Sequence, residues 1–263
     1  MQKIAIVTGG SSGIGRECAR ALAEAGCRVY EFSRRQVPQQ GVTHITCDVT
    51  DEAAVVAAVQ TVLAAEGRVD LVINNAGYGI SGAVEFTDTA AAQALFDVDF
   101  FGMVRVNKAV LSAMRAAGSG VIVNISSVAA PVGIPFQSFN SAAKAAVNSY
   151  TLALANEVRP FGVQVCAILP GDIATGFTDA RQKSSVGDDV YNGRIARSVA
   201  GMEKDERIGM NAAAAGRTIA KIALRRRHRP LYTLGFGYKC LMVLIRHLPV
   251  AVVNRIVYGL YAQ

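Results

Sequence analysis

Short apolar runs alternate with longer stretches of helical periodicity along nearly the whole chain. Residues 3–7, 28–33, 43–47, 70–73, 121–125, 163–169 and 231–234 are apolar or β-branched runs bounded by Gly, Pro, Asn, Asp or Ser, which predicts strands. The stretches between them, to about residue 25 and over 51–66, 87–117, 212–224 and a segment that begins at Ser138, carry helical patterns. In 51–66, Val55, Val59 and Val62 fall on one face. Strands alternating with helices, with no internal linker, predict one doubly wound α/β domain over residues 1–263, with a parallel seven-stranded sheet and helices on both faces. Two segments break the alternation. Residues 176–211 are polar and irregular, and residues 236–263 are apolar with interspersed basic residues.

The first strand runs into Thr8-Gly9-Gly10-Ser11-Ser12-Gly13-Ile14-Gly15 and then a helix. A strand, a glycine-rich turn and a helix N-terminus form a cradle in which backbone N–H groups and the helix dipole hold a pyrophosphate. The second strand ends in Ser33-Arg34-Arg35 with no acid at its tip. An acid at that place accepts the ribose hydroxyls of NAD, whereas an arginine accommodates the 2′-phosphate of NADP. Arg34 therefore favours NADP(H) over NAD(H), with Glu31, inside the strand, as the one acidic group against it.

The strand 121–125 delivers Ser126-Ser127 to its end, and Pro131, Gly133 and Pro135 mark a loop. Ser138 is a candidate N-cap for the helix that follows. Asn140 and Lys144, four apart, share a face of that helix that can look back at Ser127. A serine followed thirteen positions later by residue 140 and four later by a lysine resembles the active-site segment of the short-chain dehydrogenase/reductase family. The glycine turn TGxxxGIG, the motif Asn74-Asn75-Ala76-Gly77 and the motif Pro170-Gly171-Asp172-Ile173-Ala174-Thr175 are similar to that family's landmarks. The resemblance runs through motifs from residue 3 to 175 and implies a Rossmann-type fold and a nicotinamide cofactor.

It also implies roles. Gly9, Ser11, Ser12 and Ile14 would meet the pyrophosphate side of the cofactor, Arg34 its 2′-phosphate, and Asp48 and Val49 its adenine. Asn75, Ala76 and Gly77 would lie against the nicotinamide ribose. Pro170, Gly171, Ile173 and Thr175 would hold the carboxamide end, and residues 176–211 would form a substrate lid. Ser127 would polarise a substrate carbonyl and Lys144 would bind the ribose and tune a catalytic tyrosine. That tyrosine is missing. Position 140 is asparagine, whose amide hydrogen-bonds but does not titrate in the working range. Asp99 stands where the family usually has asparagine, and places a carboxylate within reach of Lys144. Ala143, just before the lysine, is a milder departure. Tyr78 offers another phenol, with nothing in its loop position to select it.

The net charge of +7 is concentrated at one end. From Arg217 onward there are nine Lys and Arg and no Asp or Glu, so the first 216 residues carry a net −2. This asymmetry argues against nucleic acid as a partner of the main body. The five cysteines are scattered without CxxC pairs, which reads as small core residues in a reducing compartment and gives no metal site. The chain starts directly with a strand, and no secretory leader is expected before it. A cytoplasmic location follows, with membrane association left open by the tail. That tail has three readings: packing over the pocket to enlarge it for an apolar substrate, lying on an anionic membrane surface, or making a subunit contact. The resemblance implies a homodimer or homotetramer through the long helices.

Two functions fit. One is an NADP(H)-dependent oxidoreductase on the alcohol or ketone of a bulky apolar, steroid- or lipid-like substrate, impaired by Asn140. The other is a non-redox family member that binds NADP(H) as a sensor or partner-binding module, or runs another reaction with Asp99, Asn140 and Lys144.

Overall fold

The computed structural model describes residues 2–262, so Met1 and Gln263, the ends of the expected domain, lie outside the described residues. Among the described residues, seven strands form one parallel sheet: β1 (Ile4–Thr8), β2 (Arg28–Ser33), β3 (Val42–Thr46), β4 (Leu71–Asn74), β5 (Gly120–Ile125), β6 (Val163–Leu169) and β7 (Leu231–Thr233). The order across the sheet is β3-β2-β1-β4-β5-β6-β7. The order reverses between β1 and β4, and the crevice at the carboxyl ends of these two strands is the usual ligand position of a doubly wound sheet.

Both faces of the sheet are covered. In β1, Ile4 and Ile6 point into one core and Ala5 and Val7 into the other, as the two-residue period of a strand requires. Helices α1 (Gly13–Glu24) and α8 (Ala212–Ala223) cover one face. Helices α2 (Glu52–Glu66), α4 (Met103–Ala116) and α5 (Ser138–Glu157) cover the other. Helix α2 illustrates the local logic. The carboxylate of Asp51 caps its start by accepting from the N–H groups of Ala53 and Ala54, and Gly67 ends it with a left-handed φ of 73°. Val55, Val59 and Val62 are fully buried beneath it, each worth about 1.5–3 kcal/mol.

Several expectations are corrected. The helix expected over 87–117 is broken into α3 (Thr89–Phe96), a π-helical turn (Asp97–Gly102) and α4. The turn carries Asp99 inward and packs Gly102 against Val49. Ser138 is the first residue of α5 and not its cap. Gln137 holds the cap position with no side-chain capping bond. The segment 176–211 is not irregular throughout: besides a short helix α6 (Phe177–Ala180), it holds the amphipathic helix α7 (Arg194–Arg207). The chain closes with α9 (Phe236–His247) and α10 (Val250–Tyr261). Cys18, Cys27, Cys47 and Cys166 are buried free thiols, but Cys240 is exposed because nothing covers the outer face of α9.

Candidate active site

The glycine turn after β1 is locked to the loop after β4. Gly9 has a φ of 65°, and a Cβ there would come within 2.9 Å of Ala76 Cα, so only glycine allows this approach. Thr8 Oγ1 accepts from the N–H groups of both Asn75 and Ala76, at 3.0 Å each. The Asn75 amide donates to the carbonyls of Thr8 (3.1 Å) and Gly9 (3.3 Å). Thr175 lies over Gly13, which brings the loop after β6 onto the same turn. Ser11, Ser12 and Ile14 are partly or fully open on this turn. The first turn of α1 has no acidic residue, and Ser12 does not cap it with its side chain. Free N–H groups at a helix start beside a glycine cradle fit a dinucleotide pyrophosphate.

Arg34 and Arg35 are exposed just past the end of β2. Glu31 is buried, and its carboxylate is turned along the strand edge: it accepts from Ser33 Oγ (3.2 Å) and contacts His44 Nδ1 on β3. Its second oxygen has no partner and faces Gly10, whose carbonyl accepts from Gln39 Nε2 (2.7 Å). His44 and Gln39 carried no signal in the sequence, because their partners are distant in the chain. Asp48 sits after β3. Burial alone would raise its pKa, but the N–H and hydroxyl of Thr50, with Arg34 and Arg105 nearby, hold it below the usual carboxylate range.

Around the other motif, Lys144 Nζ pairs with Asp99 Oδ2 at 2.9 Å and reaches the Ile125 carbonyl at 3.4 Å. Asp99 is buried, and its other oxygen accepts from the Tyr78 N–H at 3.0 Å. A Cβ at Gly77 would stand about 3 Å from that carboxylate, so the loop after β4 and the π-helical turn are closely fitted. Asn140 faces away from this pair. Its Oδ1 accepts from the Ile80 N–H (3.2 Å), while its Nδ2 donates to the Ile80 carbonyl (2.7 Å) and to Gln137 Oε1 (3.2 Å). Ser127 Oγ accepts from the Ala129 N–H at 3.0 Å and makes no hydrogen bond to Asn140 or Lys144. Sequence spacing put Ser127, Asn140 and Lys144 at one end of the sheet. It did not identify Ile80 as the partner of Asn140.

The loop after β6 completes the region. Ile173 is buried and pairs with Met210, and the ring of Tyr238 from α9 fills the space that a Cβ at Gly171 would need. The Tyr238 hydroxyl donates to Asp172. Burial raises the Asp172 pKa, the hydrogen bond from Tyr238 only partly opposing it. Among the described residues, no group of three His, Cys, Asp or Glu is placed to hold a metal ion.

A sequence profile of the short chain dehydrogenase family matches residues 3–185. The chain belongs to the short-chain dehydrogenase/reductase family. The 3-ketodihydrosphingosine reductase of Bacteroides thetaiotaomicron is 42% identical over 227 residues, covering 85% of this chain and 84% of that protein. A short-chain type dehydrogenase/reductase of Helicobacter pylori is 31% identical over 252 residues, covering 94% and 93%. The crystal structure of a short-chain dehydrogenase from Streptomyces avermitilis superposes with a TM-score of 0.84 at 29% identity, covering 98% of each chain. This short-chain dehydrogenase/reductase is thus an oxidoreductase by family.

Proposed function

We propose that the protein binds NADP(H) and a bulky apolar ketone or alcohol, and that its redox turnover is held down by Asn140. The observation that carries the second half is the saturation of the Asn140 amide by both backbone groups of Ile80 and by Gln137. An amide has no proton to give in the working pH range, and this one is already engaged.

The residues of the cofactor cradle support the first half. The turn from Gly9 to Ile14 and the open start of α1 would take the pyrophosphate, with Asn75, Ala76 and Gly77 beneath the nicotinamide ribose. Pro170, Gly171, Ile173 and Thr175 would hold the far end, and Asp48 and Val49 the adenine. The 2′-phosphate reading rests on Arg34, exposed past β2, and on Glu31 being turned to His44 and Ser33 instead of the strand tip. Bound there, a nicotinamide cofactor would supply hydride-transfer chemistry at a substrate carbonyl. Ser127 would donate a hydrogen bond to that carbonyl oxygen, and Lys144 would reach the ribose once released from Asp99. With Lys144 engaged at the ribose and an amide at position 140, the oxygen of the reduced substrate would have no phenol placed to protonate it.

The apolar substrate class is supported by the relative named as a reductase of 3-ketodihydrosphingosine and by the apolar tail that reaches the loop after β6 through Tyr238. Residues 176–211 would cover the substrate as a lid within a single domain. Phe101, exposed on the π-helical turn before α4, and Leu152, exposed on α5, support pairing of two copies through these helices.

Titration calorimetry with NADPH and NADH, followed by NADPH oxidation with long-chain keto substrates, tests the proposal. NADPH binding stronger than NADH binding, with turnover at or near background, is expected. Failure to bind either cofactor, or rapid turnover of the unaltered chain, contradicts it.

A further inference from the structure

Helices α9 and α10 present apolar side chains that are exposed among the described residues. On α9, Phe236, Val243 and Leu244 recur at helical spacing on one face, and Phe236 is 83% exposed. On α10, Val252, Ile256 and Leu260 recur every four residues, all exposed. Among the described residues of α10, Val257 is the buried one. Exposed apolar surface concentrated on two consecutive helices marks a binding face and not scattered surface residues.

Charge identifies what the face meets. Lys239 and Arg246 flank the apolar face of α9, and Arg255 is exposed on α10. No Asp or Glu occurs from Arg217 to the end of the chain. A second copy brought against this face by two-fold symmetry would set the same basic residues against themselves, with no acid in the segment to offset them. An anionic lipid surface accepts both features, the apolar side chains below the headgroups and the basic ones among them. Each helix has 12 residues and is about 18 Å long, well short of the hydrocarbon thickness of about 30 Å. No helix among the described residues is long and apolar enough to cross a membrane. On such a surface, helices of this length would lie in the interface plane.

We propose that α9 and α10 form a docking surface for a bilayer with anionic headgroups, and that docking sets the loop after β6 beside the lipid. Tyr238 makes the link. Its hydroxyl is bonded to Asp172 and its ring is packed on Gly171, so the start of α9 is fastened to a loop at the carboxyl ends of the strands. An apolar substrate dissolved in the bilayer then enters from the lipid side. The docking surface stands whether or not the redox reading of the site holds.

Co-sedimentation of the full chain with vesicles tests this without any turnover. Vesicles of phosphatidylcholine with phosphatidylglycerol should carry the protein down, pure phosphatidylcholine vesicles much less, and added salt should release it. Leu244→Glu with Ile256→Glu should abolish binding while circular dichroism and the melting curve stay unchanged, since both side chains face outward. Arg246→Gln with Arg255→Gln should weaken it roughly 30-fold, from the usual contribution of each basic residue near an anionic surface. Absence of binding, equal binding to neutral and anionic vesicles, or full binding by the Glu pair overturns the proposal. Light scattering that finds a dimer dissociated by the Glu pair also overturns it, and assigns the face to a second copy.

Discussion

The side chain of Asn140 holds Ile80 by both of its backbone groups, accepting from the N–H at 3.2 Å and donating to the carbonyl at 2.7 Å. Ile80 and Ser81 pair on their other edge with Gln182 and Lys183, so Gly79 and Ser81 serve that partner while Ile80 looks toward α5. The asparagine amide thus takes the place of a peptide group at a strand edge. It ties residues 176–211 to the helix that carries Lys144. Asn140→Ala removes both bonds and leaves two backbone groups without partners, so urea unfolding should lose about 1–3 kcal/mol.

Asp99 and Lys144 form a largely buried ion pair, and the carboxylate also anchors the Tyr78 N–H. Asp99→Ala leaves the ammonium unpaired and should destabilise the fold by about 3 kcal/mol or more. Asp99→Asn keeps an acceptor for Tyr78 and should cost clearly less in the same urea titration. Equal losses would mean that the lost charge beside Lys144 sets the cost and that the acceptor for Tyr78 adds nothing.

Arg34 is the basis of the proposed cofactor preference. Arg34→Ala removes a charged donor to a phosphate, worth about 1.5–3 kcal/mol, so NADPH affinity should drop by roughly 10- to 150-fold. NADH affinity should change by less than about twofold, because the ribose 2′-hydroxyl makes no such pair. Calorimetry on both cofactors checks the ratio.

Most of the architecture was legible in the chain, because buried parallel strands appear as short apolar runs and the intervening helices carry their own period. Strands β2 and β6 match their expected bounds, and Val55, Val59 and Val62 share the buried face that their spacing requires. The π-helical turn was not legible, since Asp97 to Gly102 continue an ordinary helical pattern, and the close fit of Gly102 on Val49 joins residues distant in the chain. Spacing alone gathered Ser127, Asn140 and Lys144 at one end of the sheet. The partner of Asn140 lies 60 residues away, and the covering of Gly171 by Tyr238 spans a similar distance. Local patterns hold no trace of such contacts.

His228 gives a pH signature away from the site. Burial lowers its pKa, which the Arg225 carbonyl only partly opposes, with Lys3 and Arg225 adding to the fall. The unfolded chain therefore binds more protons than the folded one from the folded value up to about 6.5, and stability rises with pH across that window. It is lost as pH falls below about 6.5. Urea midpoints measured across this range should flatten in His228→Gln, and an unchanged slope would assign the pH dependence to other groups.

The central claim is that a redox scaffold is held down by the missing proton donor at position 140, with Asp99 holding Lys144 as a second brake. Steady-state NADPH oxidation with a long-chain keto substrate, compared among the unaltered chain, Asn140→Tyr, and Asn140→Tyr with Asp99→Asn, tests it directly. A positioned general acid contributes about 10²–10⁴-fold. The account predicts a rise of that order in the double variant and a smaller one in the single variant, where Asp99 still holds Lys144. Unaltered rates in both variants, with NADPH still bound, would contradict it.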